Sequence, residues 1–249
     1  IFIWWLILQI LGWAVLPLAY RLFKWLPGRG YAFAKSLGLL LVSYVLWLGA
    51  SLGYVRNNLG GIFVAIALVA GVSVWLYSRH RHDDESRSGE ADSSLLTFLR
   101  EHKGLVLTVE ILFAVAFCVW ATRRAYAPDK IMSSGGEKFM EIAFLSAILK
   151  SPQFPPHDPW LSGFAISYYY FGYVMMALLT RLSGVSSGVG FDLYDALLFA
   201  LTVTGAFGVA YNLVAGGRKA EAESGHSPSS NLQPIFYGVL GSLFVAVMG

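Results

Sequence analysis

The sequence predicts an all-α, polytopic transmembrane helix bundle, and three observations carry that prediction. Hydrophobic residues make up 56% of the chain and charged residues 13%, against roughly 45–50% and about 25% in soluble chains. The apolar residues gather into long runs, six complete and a seventh partial: 1–20, 36–55, 60–78, 105–122, 164–182, 193–215 and 235–249. No alternating strand pattern competes with them. A helix needs about 20 mostly apolar residues to cross the hydrocarbon core, and backbone groups in lipid must be satisfied within a helix or a closed barrel. The 8 tryptophans and 26 glycines suit interfacial anchoring and close helix packing. A net charge of +3 is too small to argue for nucleic acid, and Cys118, the single cysteine, excludes an intrachain disulfide.

Residues 1–78 read as N-terminal transmembrane helices. The run 1–20 lacks the charged start and small-residue cleavage site of a signal peptide. Gly49 and Gly53 form a G-x-x-x-G spacing inside the second run, which predicts close packing there. The loop 21–35 carries Arg21, Lys24, Arg29 and Lys35, whereas the next carries only Arg56. The positive-inside bias therefore places 21–35 and 79–104 in the cytoplasm and 123–163 outside, in the plasma membrane of the cell. With all seven runs crossing, the basic residues divide ten against eight between the two sides.

Residues 79–104 read as a flexible cytoplasmic loop. His80 and His82 beside Asp83, Asp84 and Glu85 fit a solvated mixed-charge segment better than a metal site. Residues 105–215 form the membrane core, 216–233 a Gly-, Ser- and Glu-rich flexible connector, and 234–249 the start of a further helix. Beginning at Ile1 and stopping at Gly249 inside apolar runs, the chain reads as a fragment of a longer protein.

The segment 123–163 differs in kind, because it is long and mixes charged with apolar residues. Ser134 and Glu137 have capping-box spacing, Lys150 would lie in a last turn, and Pro152 follows, so a short helix is predicted over 137–150. Phe139, Met140, Ala143, Phe144, Ala147 and Ile148 give it a broad apolar face, which suits an interfacial helix. Glu137 and Glu141 project from one side of it. Capping by Glu137 and pairing of Glu141 with Lys138 account for both carboxylates. The alternative is that two coupled carboxylates at a low-dielectric boundary supply a general base.

Asp129 follows Pro128 just beyond Arg123 and Arg124, which read as headgroup anchors or as a forked phosphate grip. Phe154-Pro155-Pro156-His157-Asp158-Pro159-Trp160 makes a stiff approach back to the membrane. Tyr168, Tyr169 and Tyr170 follow, and on a helix at most two of the three could face one pocket. Asp129, Glu137, Glu141 and Asp158 are oxygen donors suited to a divalent metal, although no spacing defines a site.

Gly136-Glu137-Lys138, Met140-Glu141, Ala143-Phe144-Leu145, Pro155-Pro156, Asp158-Pro159-Trp160, Gly163 and Tyr168-Tyr169-Tyr170-Phe171-Gly172 occur in this order. In them the chain resembles the archaeal and chloroflexi-type "YYY" membrane proteins, a domain family of the DUF2298 kind named for its tyrosine triplet. The likeness runs from about Arg123 to about Phe199, with Glu141 where the family often carries Asp and Ser167 where it often carries Asn. The family's layout is similar to that of GT-C membrane glycosyltransferases. This resemblance implies a GT-C-like bundle that moves a sugar from a polyprenyl-phosphate donor to an acceptor outside the cytoplasm. It implies Glu137, Glu141 or Asp129 as catalytic groups and Arg123, Arg124 or Lys138 at the phosphate. His157, Asp158, Trp160 and the tyrosines Tyr168, Tyr169 and Tyr170 would then meet the substrate. A transporter or flippase, or a non-catalytic scaffold, are the other classes the residues allow.

Overall fold

In a computed structural model the chain is described over residues 1–88, 94–126, 137–161, 163–223 and 233–248. Asp129, Ser134 and the side chains of His80, His82, Asp83, Asp84 and Glu85 lie outside the described residues. The described residues are helical almost throughout: α1 (Phe2–Leu22), a 3-10 turn (Tyr31–Phe33) leading into α2 (Ala34–Ser51), α3 (Leu59–Ser88), α4 (Leu95–Glu101), α5 (Lys103–Ala125), α6 (Lys138–Lys150), α7 (Phe171–Ser183), α8 (Ser187–Glu223) and α9 (Pro234–Met248). Among the described residues, five helical segments are long and apolar enough to cross a membrane: Phe2–Leu22, Tyr31–Ser51, Leu59–Arg79, Lys103–Ala125 and Ser187–Ala222. Their outward faces carry Trp13, Phe63 and Val119, all more than half exposed, as a lipid-bathed bundle requires. The expected all-α polytopic bundle with a short helix in the 123–163 segment is therefore what the chain forms.

α1 and α2 pack as a tight antiparallel pair. Gly38 makes this possible, since a Cβ there would lie 2.2 Å from the Leu11 carbonyl oxygen. The G-x-x-x-G spacing does not make this contact. α2 stops at Ser51, Gly53 sits in the following turn with φ +78°, and Gly49 faces the Val55 side chain. Spacing alone did not distinguish a helix interface from a helix end.

Two stretches read as loops are partly helical. α3 continues to Ser88 and α4 occupies 95–101, capped by Ser94 through its hydroxyl and the Thr97 N–H at 3.2 Å. α8 runs to Glu223, well into the expected connector.

The larger difference is at 164–182, expected as a crossing. The helix begins only at Phe171 and has 13 residues, about 20 Å at 1.5 Å per residue, short of the roughly 30 Å hydrocarbon core. Both of its ends lie at the same end of the bundle. Tyr170 accepts a hydrogen bond from Trp47, near the C-terminus of α2, at 3.0 Å. Ser183 accepts one from Trp4, near the N-terminus of α1, at 2.8 Å. α8 then starts beside the C-terminal end of α5, where Asp192 meets Arg124, and runs to the opposite end, where Asn212 accepts the Gly28 N–H at 2.8 Å. α7 thus lies across the bundle and α8 is the crossing.

This places the C-terminal end of α8 with the α1–α2 turn and the C-terminal end of α3, and Arg181 with the α2–α3 turn and the C-terminal end of α5. The basic residues then divide eleven against seven, so the charge asymmetry sharpens once α7 is removed from the crossings.

Candidate functional site at the α6 end

α6 and α7 lie side by side and point the same way: Glu141 is opposite Tyr173, and Leu149 is opposite Arg181. α6 starts after Glu137, carries Lys150 in its last turn and ends at the extended Ser151 before Pro152. Its C-terminal carbonyls are satisfied from outside. Asn57 Nδ2 donates to Ile148 O and Ser151 O at 2.8 and 2.9 Å, and Arg181 Nη2 donates to Leu149 O at 2.7 Å. These bonds satisfy carbonyls that the helix itself leaves open and tie α6 to the α2–α3 turn.

Between α6 and α7 the chain folds back on itself. Asp158 N donates to Phe164 O at 2.9 Å, and Ile166 N to Pro156 O at 2.9 Å. Asp158 Oδ1 accepts the N–H groups of Trp160 and Leu161 at 2.8 and 2.9 Å. Asp158 is therefore a turn former, and its role is to present Trp160, which is 61% exposed. His157 is exposed on the outer strand of this turn.

Phe144 is buried at the centre of an aromatic group, with ring centroids 6.0 Å from Trp160, 5.9 Å from Tyr168 and 5.7 Å from Tyr173. Glu141, half-buried on the same helix, accepts the Tyr173 hydroxyl at 3.5 Å, a long bond. Glu137 is exposed one turn earlier. Tyr168 and Tyr169 overlap with centroids 4.0 Å apart, and the Tyr168 hydroxyl donates to that of Tyr169 at 2.9 Å. That bond, with the Glu137 charge adding to it, pushes the Tyr168 phenol up to about 12.

The tyrosine triplet is not helical, because α7 begins after it. Tyr170 turns inward onto Trp47 and stacks on Phe154 at 6.0 Å, which leaves Tyr168 and Tyr169 at the surface. The arrangement is a shelf of aromatic faces and phenols beside two carboxylates. Aromatic faces stack on the C–H side of a sugar ring, and a carboxylate in reach of a hydroxyl accepts its proton.

The two arginines part company. Arg123 is exposed, with its guanidinium 4.5 Å from the Trp120 ring. Arg124 is buried and forks onto Asp192, with Nε donating to Oδ1 at 2.9 Å and Nη2 bonding the same oxygen, while Asp195 lies 3.6 Å away. Its donors serve Asp192 and Asp195 of α8. Lys138 is half-buried in the first turn of α6. Among the described residues no three His, Cys, Asp or Glu side chains group as a metal site.

Three features of the geometry were not among the expected site residues. Tyr173 was read as a residue inside a span. Asn57 carried no local signal, because its partners are 91 and 94 residues away in sequence. The third is a buried network in the bundle. Glu110 accepts from Lys35 at 2.5 Å, Tyr31 at 2.9 Å and Gln9 at 2.8 Å, around a cavity of about 10 Å³, room for roughly one water. Glu110 is the lone acid in the apolar run 105–122, and its partners lie 75 to 101 residues away.

A family model for uncharacterised membrane proteins, DUF2298, matches residues 41–249. The chain belongs to that family. The match covers the aromatic and acidic shelf together with the C-terminal part of α2 and all of α3, α5 and α8. No curated protein and no solved structure matches the chain.

Proposed function

We propose that the chain is a multi-pass membrane glycosyltransferase of GT-C type, acting at the α6 end on the outer face of the plasma membrane. The donor is a sugar on a polyprenyl phosphate and the acceptor carries a hydroxyl. The observation that carries this reading is the shelf itself: Glu141 on α6 and Glu137 at its N-cap, beside Trp160, Tyr168 and Tyr169, at the end of the helix bundle. In the reaction the acceptor oxygen attacks the anomeric carbon. The bond from that carbon to the carrier phosphate breaks, and its electron pair leaves with the polyprenyl phosphate. The hydroxyl proton passes to a carboxylate.

Glu141 is the better base, since it is half-buried and only lightly held by the long bond from Tyr173, whereas Glu137 is exposed. Trp160 and Tyr168 offer stacking faces, and Lys138 and Arg123 offer positive charge to the leaving phosphate. Supplying purified full-length protein with a radiolabelled polyprenyl-phosphate hexose tests this. Glu141→Gln should lower transfer at least about 100-fold, the usual contribution of a general base. Unchanged transfer in Glu137→Gln, Glu141→Gln and the double variant would contradict the assignment.

A second reading, transport of a polar solute, is favoured by one observation: Lys35 and Glu110 lie within the spans, where ionisable residues commonly mark a pathway. Flux into liposomes without chemical turnover, lost in Glu110→Gln, would favour it over transfer.

A further inference from the structure

We infer that the groove between α5, α8 and α9 is a binding site for a phospholipid whose head carries a primary ammonium, of the phosphatidylethanolamine class. The groove has a volume of about 440 Å³, within the roughly 300–1,000 Å³ of small-molecule sites. Its lining is ordered by depth. Asp195 stands highest, Leu198 and Phe199 come next, and Thr202 and Val203 follow, so the groove descends one face of α8 at one-turn intervals. Val245 and Ala246 of α9 close the far wall. From Asp195 to Val203 the stripe descends about 12 Å at 1.5 Å per residue, enough for the upper part of an acyl chain.

The head end has both signs of charge, organised by Trp120. The indole Nε1 donates to Asp195 Oδ2 at 3.0 Å, its ring stacks on Phe199 at 4.4 Å, and the Arg123 guanidinium lies 4.5 Å from it. Asp195 is 45% exposed although it faces Arg124 at 3.6 Å. The Asp195 carboxylate in the groove lining selects a donor-bearing cation, and the Arg123 guanidinium over the Trp120 ring, outside the lining, offers charge to a phosphate. An ethanolamine phospholipid has both groups in one head. A choline head lacks N–H donors, and a glycerol head lacks the positive charge.

The inference does not depend on glycosyl transfer. Native mass spectrometry of the full-length protein with three lipids of matched chains tests it. Phosphatidylethanolamine should be retained several-fold more than phosphatidylcholine or phosphatidylglycerol. Asp195→Asn should bring the ethanolamine-to-glycerol ratio close to one. Val245→Trp, which fills the groove but leaves the ion pairs intact, should reduce retention of ethanolamine lipid at unchanged helicity. Equal retention of the three lipids, a preference for phosphatidylglycerol, or undiminished ethanolamine binding in Val245→Trp would overturn the assignment. Transfer activity in Val245→Trp separates the two proposals: if it persists while ethanolamine binding is lost, the groove is a lipid site apart from the shelf.

Discussion

Glu110 and Glu141 are both half-buried carboxylates on helices, yet their surroundings differ. Glu110 accepts hydrogen bonds from three other side chains, drawn from α1, the 3-10 turn and α2. Among the described residues Glu141 has one long bond, from Tyr173, which itself packs on Phe144. A charge deep in an apolar bundle is tolerated only when it is paired and hydrogen-bonded. The Glu110 network therefore fixes how α1, α2 and α5 meet. The lightly held carboxylate at the bundle end retains capacity to accept a proton or a hydroxyl. The contrast separates a carboxylate that holds the scaffold from one that is available for chemistry.

Mutations can break this contrast, and the largest effect is expected at the network. Lys35→Met leaves Glu110 unpaired inside the bundle and should cost about 3–5 kcal/mol, read as a fall in the unfolding midpoint in detergent. Lys35→Met with Glu110→Leu should recover much of that loss. A double variant no better than the single would show that the pair is more than mutual compensation.

Gly38→Ala comes next. The new methyl would meet Leu11 O, and separating the helices should cost about 1–3 kcal/mol, measured the same way. Asn57→Ala removes two hydrogen bonds from the end of α6 and should cost about 2 kcal/mol, with faster amide exchange confined to the 148–153 region. The smallest effect on stability is expected at Glu141→Gln, within about 0.5 kcal/mol, combined with the loss of transfer. A large loss of stability there would make Glu141 a scaffold residue like Glu110.

The fold class was legible because lipid leaves few alternatives: long apolar runs must become helices. The register of those runs against the membrane was not. Residues 164–182 are apolar enough to read as a span, yet 164–170 fold into the turn after Asp158, and only 13 residues remain for α7. Hydropathy cannot distinguish a helix that crosses from one that lies across the ends of others. The short helix of the loop was legible from its charge pattern and Pro152. The pairing of Arg124 with Asp192 was not legible, because the two are 68 residues apart and nothing local marks it. Tyr170 was separable from its neighbours only through Trp47, on another helix.

The most direct test of the account is the side on which two new cysteines react. In a Cys118→Ser background, Arg56→Cys and Lys219→Cys are exposed to a membrane-impermeant maleimide from one face of sealed, oriented vesicles. With α7 lying across the bundle and α8 crossing it, the two positions should label from opposite faces. Labelling of both from the same face would restore 164–182 as a crossing and contradict the account.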